Sequence, residues 1–248
     1  VKALGIDVGG TGIKAALVDT KTGKLATERA RYPTPRPSTP RAVARLVGEV
    51  VTRFGYTDPG LRVGLGFPGV VRQGKVLTAA NVSRKWIGVR ADALFRKATG
   101  LEFVVANDAD LAGLAEMRFG AGRDRKGLVI MLTFGTGIGT AFFMDGRLVP
   151  NVELGHLEVN GREAETWASE RARIEERLSF KRWSKRVNAY LNRLHAYFWP
   201  ELIILGGGAS KNFEKFGFRL EVPCPLLPAE LRNRAGLIGA ALAASDVT

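Results

Sequence analysis

Cysteine and histidine are nearly absent from this chain. A single cysteine, Cys224, excludes an intrachain disulfide and any multi-cysteine zinc site, and it fits a reducing, cytoplasmic setting. The two histidines, His156 and His195, leave little material for a histidine-based metal centre, so no protein-held metal is expected. Long apolar runs are missing too: Leu128–Leu132 is far shorter than the ~20 residues of a membrane span, and no secretory leader pattern opens the sequence. No membrane partner is expected. Acidic residues are outnumbered, with Asp+Glu 24 against Lys+Arg 37 and a net charge of +13. The excess is spread along the chain rather than held in a tail. It implies attraction to polyanions without choosing between nucleic acid, a small polyanion and plain solvated surface.

What is present is 248 residues of ordinary globular composition, 46% hydrophobic and 25% charged, enough for one large or two modest domains. Residues 2–8 read as a strand that runs into Gly9-Gly10-Thr11-Gly12, and residues 13–18 as a second strand. Residues 19–23 turn this into a third near 24–31. Four prolines in residues 32–40 predict an extended connector. Val43, Leu46, Val47, Val50, Val51 and Phe54 then recur at helical spacing. A strand over 61–67, a weaker one over 74–80, a short helix over 91–98 and a strand over 101–106 complete the order β-β-β-α-β-β-α-β.

At Leu128 the pattern restarts. Strands are predicted over 128–134, 138–144 and 147–150, helices over 163–178 and 180–198, a strand over 201–206 and a closing helix from Arg234. Strand, Gly-Thr-Gly turn, strand thus occurs twice. The repetition predicts an α/β chain of two duplicated domains facing a cleft. The N-terminal α/β domain spans 1–106 and the C-terminal one 107–233, with the closing helix (234–246) packing back on the first.

Ala106-Asn107-Asp108-Ala109-Asp110 stands where an apolar strand gives way to a helix, the edge at which open α/β sheets bind ligands. The common use of an Asn-Asp pair there is capping. Asp7 with Gly9, Gly10, Thr11 and Gly12, and Thr133 with Gly135, Thr136 and Gly137, form the two matched turns. Glycines without Cβ let backbone N–H groups approach phosphate oxygens, and threonine hydroxyls add donors. Neither turn is a Walker loop or a dinucleotide fingerprint. One such turn is most often a plain hairpin; two at equivalent places favour phosphate binding, with Gly206-Gly207-Gly208 a third candidate and Lys14 a nearby cation. Glu153 and His156, taken with Asn81, Asn107, Asp108 and Glu165, offer the donors and acceptors that a polyhydroxylated substrate needs. His195, in a helix rich in surface charge, reads as structural.

DVGGTGIK (7–14), TAANVSRKWIGV (78–89), ANDAD (106–110), TFGTGIGTA (133–141), ELGHLE (153–158) and RNRAG (232–236) together resemble the ROK family of sugar kinases and repressors, over nearly the whole chain. The resemblance implies two ribonuclease H-like domains of the actin-like ATPase superfamily. It implies that Asp108 is the base that accepts the proton of a sugar 6-hydroxyl, and that Asn81, Asn107, Glu153, His156 and Glu165 bind the sugar. It also implies that Asp7, Gly9, Gly10, Thr11, Thr136 and Gly137 serve the phosphoryl donor, with Mg²⁺ on that donor, and that the protein is a homodimer. Two departures narrow it. Most members carry a cysteine-rich zinc loop between the histidine and the last glutamate, whereas residues 157–164 contain no cysteine. The chain is therefore expected to lack structural zinc, and it is similar to the branch of polyphosphate glucokinases and polyphosphate/ATP glucomannokinases. No helix-turn-helix is expected ahead of Asp7, and no nucleic-acid partner.

The expected activity is phosphoryl transfer from inorganic polyphosphate, with ATP as a further donor, to glucose or a related hexose such as mannose. Domain closure would exclude water from the reacting groups. Basic residues at 171, 173, 177, 181, 182, 185, 186 and 193, together with Arg72, Lys75, Arg84 and Lys85, favour polyphosphate collectively, although each alone reads as solvated surface. An ATP-only glucokinase and a non-catalytic sugar sensor that binds polyanions are the competing expectations.

Overall fold

The computed structural model describes residues 2–58 and 60–245. The chain forms two compact units, one holding residues up to Ala115 together with those from Arg234 onward, the other Glu116–Asn233. The last expected residue of the closing helix, 246, lies outside the described residues.

In the first unit β1 (Lys2–Val8) and β2 (Gly12–Asp19) form an antiparallel hairpin in which Asp7 faces Lys14. The strand expected near 24–31 is broken into β3 (Lys24–Leu25) and β4 (Ala30–Pro33), both paired with β2. Between them Thr27 Oγ1 accepts from the backbone N–H of Leu17 at 3.0 Å, so a side chain takes the place of a ladder bond. Of the proline-rich connector, Pro33 ends β4 and Pro40 opens α1 (Pro40–Arg53), where its missing N–H costs nothing. Thr39 caps that helix by accepting from Ala42 N at 3.4 Å. Val43, Val47, Val50 and Val51 line its buried face, each contributing about 1.5–3 kcal/mol by leaving water.

β5 (Arg62–Phe67) follows, then a small hairpin, β6 (Val71–Arg72) with β7 (Lys75–Val76), in place of the strand expected over 74–80. Then come α2 (Ala91–Thr99), β8 (Glu102–Asn107) and α3 (Asp108–Phe119). The sheet order is β3-β2-β1-β5-β8, with β1, β5 and β8 parallel. Phe67, Trp86, Phe95 and Phe103 pack in succession with ring centroids 4.9, 5.8 and 5.2 Å apart, edge-on, tilted and stacked in turn. The closing helix (Ala235–Ser245) packs on β1 and β5. A β-carbon on Gly5 or Gly64 would overlap its backbone at Leu237 or Ala240, so both strand positions need glycine.

The second unit repeats the scheme. β9 (Leu128–Phe134), β10 (Ile138–Met144) and β11 (Arg147–Val149) are successive antiparallel strands. After them β12 (Glu158–Val159) and β13 (Arg162–Glu163) make a hairpin, in a stretch to which the sequence patterns assigned no strand and whose last residue, Glu163, was expected to open a helix. The helix expected over 163–178 is two pieces, α4 (Ala164–Ala168) and α5 (Glu170–Glu175). Ser169, extended at ψ 162°, ends the first and caps the second, its Oγ accepting from Ala172 N at 3.1 Å. The break is satisfied from α6 (Phe180–Phe198): Trp183 Nε1 donates to the carbonyls of Ala168 (2.9 Å) and Ser169 (3.2 Å), and Arg186 to that of Trp167 (2.9 Å). β14 (Leu202–Gly207), a short α7 (Phe213–Phe216) and β15 (Leu226–Pro228) complete the unit. Its sheet order, β11-β10-β9-β14-β15, has the same sequence of antiparallel and parallel neighbours as the first. The duplication read from the glycine turns is therefore a duplication of topology, and the fold is mixed α/β in two units. Among the described residues no helix is long and apolar enough to cross a membrane.

Candidate active site

Asp108 is the first residue of α3, at the C-terminal end of the parallel strand β8. Its carboxylate Oδ1 accepts from Ala109 N at 2.8 Å. The helix N-terminus favours its charged form. Asn107 is the cap: its Oδ1 accepts from Ala109 N (2.8 Å) and Asp110 N (3.1 Å), while its Nδ2 donates to the Gly69 carbonyl at 3.2 Å. Asn107 is 6% exposed, so the structure gives it the work of holding the helix start and the Gly69 loop together. That loop is pinned further along, where Ala80 N donates to Pro68 O at 2.9 Å, and it ends at Asn81. Asn81, exposed and at φ 60°, lies directly against the first phosphate turn; a β-carbon on Gly10 would come within 2.6 Å of its carbonyl oxygen.

The first turn is closed by Gly9 N donating to Gly12 O at 3.1 Å, and Thr34 Oγ1 donates to Gly9 O at 2.5 Å. Thr11 is exposed at its tip. Asp7 and Lys14, facing each other across β1 and β2, form an ion pair at 2.7 Å. A second cation, which the sequence reading passed over, joins them. Arg31 Nη2 donates to Thr11 O at 3.3 Å, and a β-carbon on Gly12 would stand 2.7 Å from Arg31 Nε. The strand pairing of Lys14 with Arg31 was the signal available for it.

In the second unit the matching turn is closed by Gly135 N donating to Gly137 O at 3.0 Å. Thr136 is exposed at its tip, and Thr133 is half-buried on β9. Arg171 N, at the start of α5, donates to Gly135 O at 3.0 Å. Glu165 reaches the same turn, its Oε2 accepting from Ile138 N at 3.3 Å. The Glu153–His156 segment sits on the start of β10: a β-carbon on Gly155 would overlap Ile138 O, and Tyr190 OH donates to Leu154 O at 3.1 Å. Burial pushes the Glu153 carboxyl up, with His156 opposing and Glu165 reinforcing the shift, so the three groups share one electrostatic neighbourhood. Glu163 is the residue missed here. Its Oε1 makes a short contact with His156 Nδ1, and it raises the imidazole above its ordinary value. The third candidate turn follows β14, where Gly207 (φ 76°) is pressed onto the backbone of Phe134. A β-carbon on Gly208 would overlap the Glu170 carboxylate.

The basic stretch from 171 to 193 is less available than its count suggests. Arg186 is held by Glu176 at 2.5 Å, Arg173 lies 4.5 Å over the Phe180 ring and Arg193 5.8 Å over Tyr197. Lys181, Arg182 and Lys185 stay exposed on the first turns of α6. His195 is buried beside Trp199, with ring centroids 4.9 Å apart, as a structural residue should be.

Among known proteins, the polyphosphate glucokinase of Mycobacterium tuberculosis is 47% identical over 246 residues, covering 98% of this chain and 92% of that protein. That of Mycobacterium leprae is 45% identical, over 100% of this chain and 76% of its own length. The crystal structure of the inorganic polyphosphate/ATP-glucomannokinase from Arthrobacter sp. strain KM superposes with a TM-score of 0.95 at 47% identity, covering 99% of this chain and 98% of that one. A ROK family glucokinase from Streptomyces griseus, in complex with glucose and AMPPNP, superposes with a TM-score of 0.83 at 25% identity over 99% of both chains. The ROK family profile itself matches residues 3–176, and the chain belongs to the ROK family.

Proposed function

We propose that this protein is a sugar kinase that transfers the terminal phosphoryl group of inorganic polyphosphate, or of ATP, to the 6-hydroxyl of glucose or the related hexose mannose. The observation that carries the reading is Asp108, a carboxylate at the C-terminal end of a parallel strand and on a capped helix N-terminus, in the unit that also holds Asn81 against a glycine turn. Phosphoryl transfer asks little covalent chemistry of a protein; positioning and charge do most of the work. Asp108 aligns the hydroxyl and accepts its proton as the new O–P bond forms and the bond to the rest of the donor breaks. Glu153, His156, Glu165 and Asn81 hold the other hydroxyls. Asn107 joins them at the sugar and also fixes the helix start that carries the base.

The donor is served by the two turns. Gly9–Gly12 with Lys14 and Arg31, and Gly135–Gly137 with Thr133 and Thr136, present backbone N–H groups, hydroxyls and cations to phosphate oxygens. Mg²⁺ bound to the donor would neutralise part of its charge. The likeness to enzymes named for polyphosphate, together with the net charge of +13, supports polyphosphate as a donor. A homodimer in a reducing cytoplasm, with no structural zinc, completes the proposal.

One set of assays tests it: glucose and mannose, each with ATP or polyphosphate, with and without Mg²⁺. Sugar 6-phosphate should form from polyphosphate and require Mg²⁺. Activity with ATP alone would overturn the donor assignment, and no product from any pairing would favour a sugar sensor instead.

A further inference from the structure

The hairpin β12–β13 has no part in the mechanism above, yet its construction is specific. Asn160 and Gly161 turn it with φ 54° and 72°, the left-handed pair that a tight two-residue hairpin requires. Glu158 pairs with Glu163 across it, Val159 is buried at 2% exposure, and Ala164 N donates back to Leu157 O at 2.9 Å. The chain therefore returns to the point it left, and the residue it delivers there is Glu163, with Oε1 against His156 Nδ1. A hairpin of only two paired residues per strand buries little beyond Val159. Placement of the Glu163 carboxylate is its most specific product.

A neutral imidazole carries its proton on one nitrogen and offers a lone pair on the other, and the partner of the first decides which is which. A carboxylate can only accept, so the proton stays on Nδ1. We infer that Glu163 is a positioning residue for His156, holding the Nδ1–H tautomer and the ring plane so that Nε2 accepts a hydrogen bond from a sugar hydroxyl. This rests on the sugar-kinase reading and deepens its acceptor site. The other titratable groups facing His156 are Glu153 and Glu165, and both carboxylates act on it in the same direction as Glu163. His156, Glu163 and Glu165 also offer ligand atoms within 4.8 Å of one another, so the same cluster could hold a divalent cation, a rival use that the test must separate.

The test uses the full chain with its histidines labelled with ¹⁵N, His195 serving as internal reference, in wild type, Glu163→Gln and Glu163→Ala. At pH above the His156 titration, wild type should show the Nδ1–H tautomer. Glu163→Gln, whose amide oxygen still accepts, should keep that tautomer while the His156 titration midpoint falls. Glu163→Ala should show the Nε2–H form, with KM for glucose raised about tenfold, the value of one well-made hydrogen bond, and donor KM unchanged. An unchanged midpoint in Glu163→Gln, or an unchanged tautomer and glucose KM in Glu163→Ala, overturns the inference. So does micromolar Zn²⁺ binding, by calorimetry, to wild type and not to Glu163→Ala. The tautomer and midpoint are read without substrate. Failure of the kinase reading would show separately, as a wild-type protein with the tautomer in place and no sugar phosphorylation.

Discussion

Glu165 Oε2 accepts from the backbone N–H of Ile138 at 3.3 Å, and it occupies the space that a β-carbon on Gly137 would need. A proposed sugar ligand is thereby tied to the glycine turn proposed for the donor. The first unit has the same relationship, with Asn81 against Gly10. In both units the missing side chain of a glycine proposed for phosphate admits a residue proposed for the sugar.

Gly137→Ala follows directly. The overlapping atom is the far end of a flexible side chain, so the fold should adjust and the carboxylate should swing away from Ile138. Loss of one charge-assisted hydrogen bond to a sugar hydroxyl is worth about 1.5–3 kcal/mol, or about 10- to 150-fold in glucose KM. Steady-state kinetics and a melting curve check it: glucose KM should rise while Tm stays within a few degrees. A large fall in Tm with normal KM would show that the turn needs its glycine for folding alone.

Asp108→Asn should remove the base while keeping the helix start, because the cap bonds to Ala109 and Asp110 belong to Asn107. Turnover should fall by about 10²–10⁴, the usual contribution of a positioned base, with glucose binding measured by calorimetry within a few-fold of wild type. A variant that turns over at a near-normal rate would leave Asp108 a helix-terminus residue and nothing more.

Which parts of this arrangement the sequence disclosed depends on how each is built. β1, β2, β9 and β10 are buried strands punctuated by glycine turns, so both hairpins and the duplication could be read directly. The break at Ser169 is held by Trp183 and Arg186 from α6, contacts that no local pattern carries. The split after β3 depends on Thr27 reaching Leu17, and β15 is a three-residue edge strand ending in Pro228. At the site, Asp108, Glu153 and His156 lie in recognisable motifs. Asn107 was legible as a cap and is one. Arg31 and Glu163 are placed by cross-strand pairing, which no local pattern carries: Arg31 stands opposite Lys14, and Glu163 is returned toward His156 by the Asn160-Gly161 turn of a hairpin with only two paired residues per strand.

Glu116 lies outside the proposed chemistry and is fully buried. Its carboxylate accepts from the backbone N–H groups of Ala121 (3.0 Å), Glu230 (3.2 Å) and Leu231 (2.7 Å), which ties the end of α3 to the segment leading into the closing helix. Burial pushes this carboxyl above the usual range, against the pull of the three donors. A carboxyl raised in the folded state binds its proton more tightly there than in the unfolded chain. Its pH-linked contribution is therefore complete below the unfolded value and is lost as pH rises through the folded one. Glu116→Gln keeps one acceptor oxygen and turns an amide N–H toward a donor, which should cost about 1–3 kcal/mol. Urea unfolding should show that loss, together with a flatter dependence of stability on pH just above the ordinary glutamate range. Equal stability across that range in both proteins would show that the three N–H groups find other acceptors.

Donor choice should be visible in salt. A polyphosphate chain extends past the transferred group, and under the proposed function it should meet further cations, for which the exposed Lys181, Arg182 and Lys185 on α6, in the unit that holds the second glycine turn, are the candidates. Each contact releases condensed counterions, so log KM for a long polyphosphate should climb linearly with log salt. By analogy with single-stranded nucleic acid, the slope should be about 0.7 per contact. ATP, with a short phosphate chain, should show the shallower line. Replacing Lys181, Arg182 and Lys185 together with alanine should lower the polyphosphate slope and leave the ATP slope and kcat unchanged, because α6 carries no group assigned to the sugar or to either turn. Parallel slopes for the two donors in the wild-type protein would confine donor recognition to the glycine turns and leave the α6 cations as solvated surface.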